Sequence, residues 1–164
     1  MTAALKYIQH YPQTLQDQIS QLQAEGKLGN YLQKRYPQSH LIQSSKALYS
    51  YCNEIKQAHM RNVSALAKVA YDSRLTMSHH AFGLNTAISR VQGGKLTAKK
   101  EIRIADTFKE LPEAFLRMIV VHELAHLKER DHSKAFYKLC EHMEPDYHQL
   151  EFDCRVYLTW KEAS

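Results

Sequence analysis

The chain has 164 residues, 44% of them hydrophobic, a length that suffices for one domain with a buried core and is short for two. No apolar stretch approaches the roughly 20 residues that span a bilayer, and the first residues lack the apolar core of a signal peptide, so we expect a soluble, cytoplasmic protein without a membrane partner. The net charge of +5 permits an acidic partner without requiring one.

The N-terminal third is predicted to be helical. Apolar residues recur at helical spacing up to Gly26, and again along a longer segment beyond Pro37. They are Leu15, Ile19 and Leu22, then Leu48, Tyr51, Cys52, Ile55 and His59. We therefore predict a helical extension over residues 1–62, packed on a core of residues 63–164 within a single domain.

The middle of the chain carries four strand-like runs in two pairs, and each pair flanks a turn signal. The runs are residues 66–71 and 75–80 around Asp72-Ser73, and residues 86–92 and 96–105 around Gly93-Gly94. Two hairpins predict a small, largely antiparallel sheet. His79-His80 does not indicate a second metal site, because neither the spacing nor a neighbouring carboxylate supports one.

The final third returns to helices, which makes the fold class α+β. Pro112 suits the first turn of one helix, a second helix ends before Pro145, and a third covers residues 147–158. The three cysteines lie at apolar positions of helical patterns and form no CxxC pair, so we predict reduced core residues. They are Cys52, Cys140 and Cys154.

The most informative motif is the run His122-Glu123-Leu124-Ala125-His126 on the first of these helices. Residues four apart lie one turn apart on one helix face, so His122 and His126 can direct two imidazole nitrogens at one point. Zinc suits that geometry, and a catalytic zinc site leaves a fourth position for water. Glu123 can take a proton from that water during attack on a carbonyl or phosphoryl centre. The helix is apolar on nearly every side, and burying these three side chains is costly unless a metal or hydrogen bonds satisfy them.

A catalytic zinc site needs a third protein ligand, which must come from beyond this helix. We choose His132, because the polar stretch before it indicates that the helix ends and the chain turns back. The spacing is that of the metzincin pattern HExxHxxGxxH, but Glu129 stands where that pattern has glycine, so the turn must be made another way. The alternative is a glutamate on a following helix, as in the gluzincin arrangement, and the candidates are Glu141, Glu144 and Glu151.

Two further features bear on substrate binding. A basic cluster between positions 90 and 103 contains one acid, Glu101, and is either a solvated hairpin face or a phosphate or nucleic-acid contact. The cluster consists of Arg90, Lys95, Lys99, Lys100 and Arg103. Tyr147 and His148, near the start of the last helix, are candidates for stabilising the transition state, with core packing as the alternative for Tyr147.

Four segments carry a resemblance to a known family: residues 115–136, 87–105, 142–153 and the run Lys34-Arg35-Tyr36-Pro37. Together they resemble the YgjP-like metallopeptidase family of bacteria, which is similar to the SprT-like and WLM zinc metalloproteases. The resemblance implies a zincin-like fold, in which a sheet backs the HExxH helix and its edge strand borders the cleft. Carried over by position, it makes His122, His126 and His132 the zinc ligands and Glu123 the catalytic acid and base.

The resemblance implies a zinc-dependent hydrolase with more than one candidate substrate. In the first hypothesis, Glu123 activates the zinc-bound water for attack on a peptide carbonyl. The alternative is a metal-dependent nucleotide hydrolase, a UTP pyrophosphatase that converts UTP to UMP and diphosphate at the same site, with the basic cluster gripping the triphosphate. A third hypothesis, a DNA-associated protease of the SprT type, adds nucleic acid as a partner. The open coordination position argues against a purely structural zinc.

Overall fold

The computed structural model describes residues 5–75, 83–92 and 95–163, and it describes the side chains of these residues except those of 83–92 and 95–99. The helices in this part of the chain are α1 (Gln13–Ala24), α2 (Leu28–Arg35), α3 (Ser45–His59), α4 (Glu113–His126), α5 (Lys134–Met143) and α6 (Tyr147–Ala163). The strands are β1 (Lys68–Asp72), β2 (Gly83–Gln92) and β3 (Lys95–Ala105), and a short 3₁₀ helix spans Asp106–Lys109. The α+β class is thus as predicted.

The two predicted N-terminal helices end where the sequence indicates, and a further helix, α2, lies between them. Helix α1 stops before Gly26, whose φ of 69° is the left-handed conformation that glycine adopts readily at helix ends. Helix α2 was not predicted from the sequence, and it buries Leu28 and Leu32 on one face. Gly29 lets this helix approach α6 closely, because a Cβ there would lie 2.8 Å from Nε1 of Trp160.

Within the described residues, the sheet has three strands in the order β1-β3-β2. Strands β2 and β3 form the predicted antiparallel hairpin, with Gln92 opposite Lys95. The prediction of a largely antiparallel sheet is wrong for β1, which pairs with β3 in parallel. The strand predicted to complete a hairpin at Asp72-Ser73, residues 75–80, lies outside the described residues apart from Leu75. The turn signal itself is real, since Asp72 Oδ1 accepts a hydrogen bond from the N–H of Arg74 at 2.9 Å. Residues 76–82, including His79-His80, lie outside the described residues.

Helix α4 is the centre of the core. It packs against α3, α5 and α6 and also against β2 and β3, so apolar residues are buried on all of its sides. The residues it buries include Phe115, Leu116, Met118, Ile119, Val120, Val121 and Leu124. Each such side chain stabilises the fold by roughly 1.5–3 kcal/mol relative to exposure. The central helix is therefore held rigidly from several directions.

Two remaining predictions concern the cysteines and the membrane. All three cysteines are free and buried, as predicted for reduced core residues. They lie on three different helices, at Cys52, Cys140 and Cys154. Among the helices of the described ranges, none combines the length and apolarity needed to cross a bilayer.

Candidate metal centre

Three imidazole rings come together where α4 ends. His122 and His126 project from the last two turns of that helix, and His132 returns from the segment that leads to α5. The Nε2 atom of His132 lies 3.0 Å from Nε2 of His126 and 3.4 Å from Nε2 of His122. The first two rings are half-buried and His132 is exposed, so this cluster opens to solvent on the His132 side.

The turn that returns His132 is made without a glycine. The N–H of Leu127 donates to Leu124 O at 3.0 Å and the N–H of Lys128 donates to Ala125 O at 3.1 Å, so the helix tightens in its last turn. No non-glycine residue in the described ranges has a positive φ. Ser133 then caps α5 by accepting a hydrogen bond from the N–H of Phe136 at 3.2 Å. This is how the chain turns with Glu129 at the metzincin glycine position.

The spacing of the three nitrogens fits a metal ion. Zinc binds imidazole nitrogen at about 2.0–2.1 Å in tetrahedral geometry, which sets neighbouring ligand atoms about 3.3 Å apart. The two Nε2 separations, 3.0 and 3.4 Å, lie on either side of this value. Within the part of the chain that the structure describes, this is the one group of three or more His, Cys, Asp or Glu residues able to share a metal.

Hydrogen bonds at the far side of two rings orient them toward this centre. Nδ1 of His122 lies 2.7 Å from Oη of Tyr147, and Nδ1 of His126 lies 3.0 Å from the carbonyl oxygen of Glu129. An imidazole that donates through Nδ1 has its lone pair on Nε2, where a metal can take it. Burial lowers the pKa of His122 to about 3 and also lowers the pKa of His126, which keeps both rings neutral as metal binding requires.

The carboxyl group of Glu123 lies beside the first ring of the cluster. Its Oε2 is 4.0 Å from Nε2 of His122, and its side chain is 2% exposed. Burial raises the pKa of Glu123 to about 8. A divalent cation bound next to it would favour the charged carboxylate instead. The group is thus placed to exchange a proton near neutral pH.

The ring of Phe136 packs against all three imidazoles of the cluster. Its ring centroid lies 4.4 Å from that of His126 and 5.0 Å from those of His122 and His132. The ring is fully buried on α5, so it limits where the imidazoles can move. The sequence showed Phe136 only as one member of an apolar stripe, and its contact with all three histidines depends on how α5 folds back on α4.

The three glutamates considered as alternative third ligands form contacts with other side chains. Carboxylate oxygens of Glu141 and Glu144 lie 3.2 Å from His148 and 2.9 Å from Arg117, respectively. Glu151 accepts a hydrogen bond from Tyr147 at 2.9 Å. Of the two candidates for stabilising a transition state, Tyr147 contacts the Nδ1 side of His122, away from the cluster centre. His148, the other candidate, is exposed.

The basic cluster of the hairpin is divided between two faces of the sheet. Lys100 shares a face of β3 with the buried Ile102 and Ile104, whereas Arg103 lies on the opposite face. The ammonium group of Lys100 donates to Leu127 O at 3.3 Å, at the end of α4. Arg103 pairs with Asp72 at 3.3 Å. The side chains of Arg90, Lys95 and Lys99 lie outside the described residues.

Comparisons with known proteins indicate the family of this chain. The model of the YgjP-like metallopeptidase domain matches residues 7–153. A relative from Escherichia coli (strain K12), named UTP pyrophosphatase, is 56% identical over 155 residues, which cover 94% of this chain and 93% of the relative. No solved structure matches the chain significantly. The family and the relative both indicate a hydrolase, the family description implies a metal ion, and the chain belongs to the YgjP-like metallopeptidase family.

Proposed function

We propose that this protein is a zinc-dependent nucleotide hydrolase that converts UTP to UMP and diphosphate. The observation that carries the proposal is the cluster of three Nε2 atoms beside a buried carboxyl group, in a chain 56% identical to a UTP pyrophosphatase. We assign His122, His126 and His132 as the metal ligands and Glu123 as the catalytic acid and base. The zincin-like arrangement, with residues 1–62 packed on a core of residues 63–164 as one domain, belongs to the same proposal.

The chemistry divides between the metal and the protein. A bound zinc ion supplies Lewis-acid polarisation of the substrate oxygen and lowers the pKa of water toward 7. Glu123 takes the proton of the water that attacks the α-phosphorus of UTP. The bond between that phosphorus and the bridging oxygen breaks, so UMP and diphosphate form from one UTP and one water. The end of α4 and Phe136 keep the imidazoles in place, so their orientation is set before substrate binds.

We assign Lys100 a role in binding the triphosphate. Its ammonium group lies beside Leu127 O, one residue beyond His126 in the chain, and the hydrogen bond to this carbonyl oxygen uses one of its three donors. A charged donor at this end of α4 suits the phosphates that extend from the reacting centre. Arg103 is less suited, because its guanidinium group pairs with Asp72 on the other face of β3.

Peptide hydrolysis is the second candidate. Strand β2 lies at an edge of the sheet and packs against α4, the helix that carries the histidines. A peptide could add to this edge as a further strand, with its scissile carbonyl near the metal. The DNA-associated protease is a less favoured variant of this candidate. It would bind nucleic acid through the basic residues that the nucleotide hydrolase would use to bind the triphosphate.

The test is the release of diphosphate from UTP by the zinc-loaded protein, compared with the Glu123→Gln variant and with other nucleoside triphosphates. We expect UTP to be hydrolysed and the variant to lose at least about 10²-fold in kcat while it keeps its zinc. Equal release by both proteins would contradict the assignment of Glu123. If zinc is bound and no nucleotide is hydrolysed, while a peptide library is cleaved only by the wild type, the second candidate is correct.

A further inference from the structure

The hydroxyl group of Tyr147 bridges a candidate metal ligand and a carboxylate. Its Oη lies 2.7 Å from Nδ1 of His122 and 2.9 Å from Oε2 of Glu151. Tyr147 is fully buried at the start of α6, and Glu151 follows one turn later on the same helix. The two helices α4 and α6 thus meet through a chain of three polar groups, of which the middle one is fully buried and the outer two are half-buried.

The direction of the hydrogen bonds in this chain follows from the chemistry of its two ends. A carboxylate only accepts hydrogen bonds, so the phenolic O–H of Tyr147 donates to Glu151. The phenolic oxygen then has lone pairs free to accept, and its partner on the other side must be the N–H at Nδ1 of His122. A neutral imidazole carries one N–H, so its other nitrogen, Nε2, is left with a lone pair.

The carboxylate group of Glu151 also pairs with a buried arginine, Arg155. Nε of Arg155 lies 3.8 Å from Oε1 of Glu151, and Nη1 of Arg155 donates to the carbonyl oxygen of Tyr7 at 3.2 Å. The buried guanidinium group thus places a positive charge next to the carboxylate group of Glu151. The direction of the hydrogen bonds is therefore determined by fixed charges that lie outside the metal centre.

We propose that Tyr147 and Glu151 are positioning residues that hold His122 in the tautomer and ring orientation needed to bind the metal through Nε2. This inference rests on the metal site of the proposed function and adds to it how the first ligand is prepared. Metal-binding histidines are commonly oriented by a carboxylate or a carbonyl at the second nitrogen. Here the carboxylate acts through a tyrosine, which lets Glu151 remain on α6 and away from the metal.

The test compares Tyr147→Phe with Tyr36→Phe as a matched control. Tyr36 also donates a hydrogen bond from a partly buried ring to a carboxylate on α6, that of Asp153, and it does not touch a candidate ligand. We expect zinc affinity, measured by competition with a chromophoric chelator, to fall about 10- to 100-fold in Tyr147→Phe. In Tyr36→Phe the zinc affinity should stay unchanged, although both variants lose thermal stability in the metal-free state.

A second measurement follows the tautomer without metal. Nitrogen-15 NMR of the metal-free wild type should show His122 protonated at Nδ1, and Tyr147→Phe should show a mixture of tautomers. Glu151→Gln, which keeps the size of the side chain and removes its charge, should weaken zinc binding in the same direction. Equal zinc affinities in wild type and Tyr147→Phe would overturn this proposal alone. A folded wild type that binds no zinc would overturn both this proposal and the metal site.

Discussion

Nε2 of His126 lies 3.0 Å from Nε2 of His132, although the two residues stand on either side of a helix end. His126 is the last residue of α4, whereas His132 is exposed on the segment before α5. The hydrogen bond from Nδ1 of His126 to the carbonyl oxygen of Glu129 belongs to the same turn. The same turn therefore orients the imidazole of His126 and brings the imidazole of His132 next to it.

Removing the third imidazole should abolish tight metal binding. In His132→Ala, two imidazoles remain, and we expect zinc affinity to fall by more than the roughly 10- to 100-fold that follows loss of an outer hydrogen-bond partner. Competition with a chelator measures this change. His148→Ala is the control, because His148 is also exposed and pairs with Glu141 rather than with the cluster. Unchanged affinity in His132→Ala would mean that a different residue completes the site.

The pH dependence of metal-free stability should report the buried carboxyl group. The pKa of Glu123 is raised to about 8 from an ordinary value of 4.5, so between these pH values the folded protein holds a proton that the unfolded chain has lost. Stability therefore falls as pH rises through this window. We expect Glu123→Gln to gain stability relative to wild type, by on the order of a few kcal/mol, between pH 5 and pH 8.

Urea unfolding of both proteins in the presence of a chelator tests this expectation. The lowered pKa of His122 makes the fold less stable as pH falls below about 6.5. This contribution is the same in wild type and Glu123→Gln, so it cancels in the difference between their unfolding free energies. Zinc should remove the effect, because a bound cation stabilises the carboxylate. A difference in stability that does not change with pH would show that Glu123 is not kept protonated in the metal-free fold.

The two cations on opposite faces of β3 should differ in their effect on nucleotide hydrolysis. Lys100→Met removes an ammonium group near the end of α4, and we expect kcat/KM for UTP to fall roughly tenfold or more, since a hydrogen bond to a charged group contributes about 1.5–3 kcal/mol. Arg103→Met is the matched control, because Arg103 pairs with Asp72. Steady-state kinetics at several UTP concentrations gives kcat/KM for each variant. Equal losses of kcat/KM in both variants would indicate an effect through the sheet.

Phe136 should support the metal centre as well as the core. Phe136→Ala is expected to cost about 3–5 kcal/mol of unfolding free energy, as large-to-small changes of buried phenylalanine do. Phe115→Ala provides the comparison, because Phe115 is equally buried but packs on Tyr36 and Tyr157. Urea unfolding should show similar losses for the two variants, while chelator competition should show weaker zinc binding in Phe136→Ala only. Equal zinc affinities would limit Phe136 to a packing role.

The motif helix was predictable because its signals are local. The spacing of four between His122 and His126, the apolar run around them and the proline before Glu113 all belong to one segment of chain. The return of His132 followed from the polar stretch beyond the helix. The way in which the chain turns was not predictable, since the expected glycine is absent and the turn instead relies on backbone hydrogen bonds.

Features that depend on distant contacts were missed or misassigned. Alternating apolar residues do not reveal strand direction, so the parallel pairing of β1 could not be read from its sequence. Helix α2 contains Gly29 and Asn30, both weak helix formers, and it is held by packing against α6. The contact of Tyr147 with His122 requires the crossing of α4 and α6, although its spacing of four from Glu151 was a visible signal. The alternation along β3 could have separated Lys100 from Arg103.

The parallel pairing of β1 has a consequence for the order of folding. Strands β2 and β3 are neighbours in the chain, so their hairpin closes a short loop, whereas Lys68 and its partner Glu101 are separated by a longer segment that includes all of β2. Loop closure over a longer segment costs more entropy and slows the pairing. The β2–β3 hairpin is therefore expected to form first, and β1, with α3 packed on it, to dock late in folding.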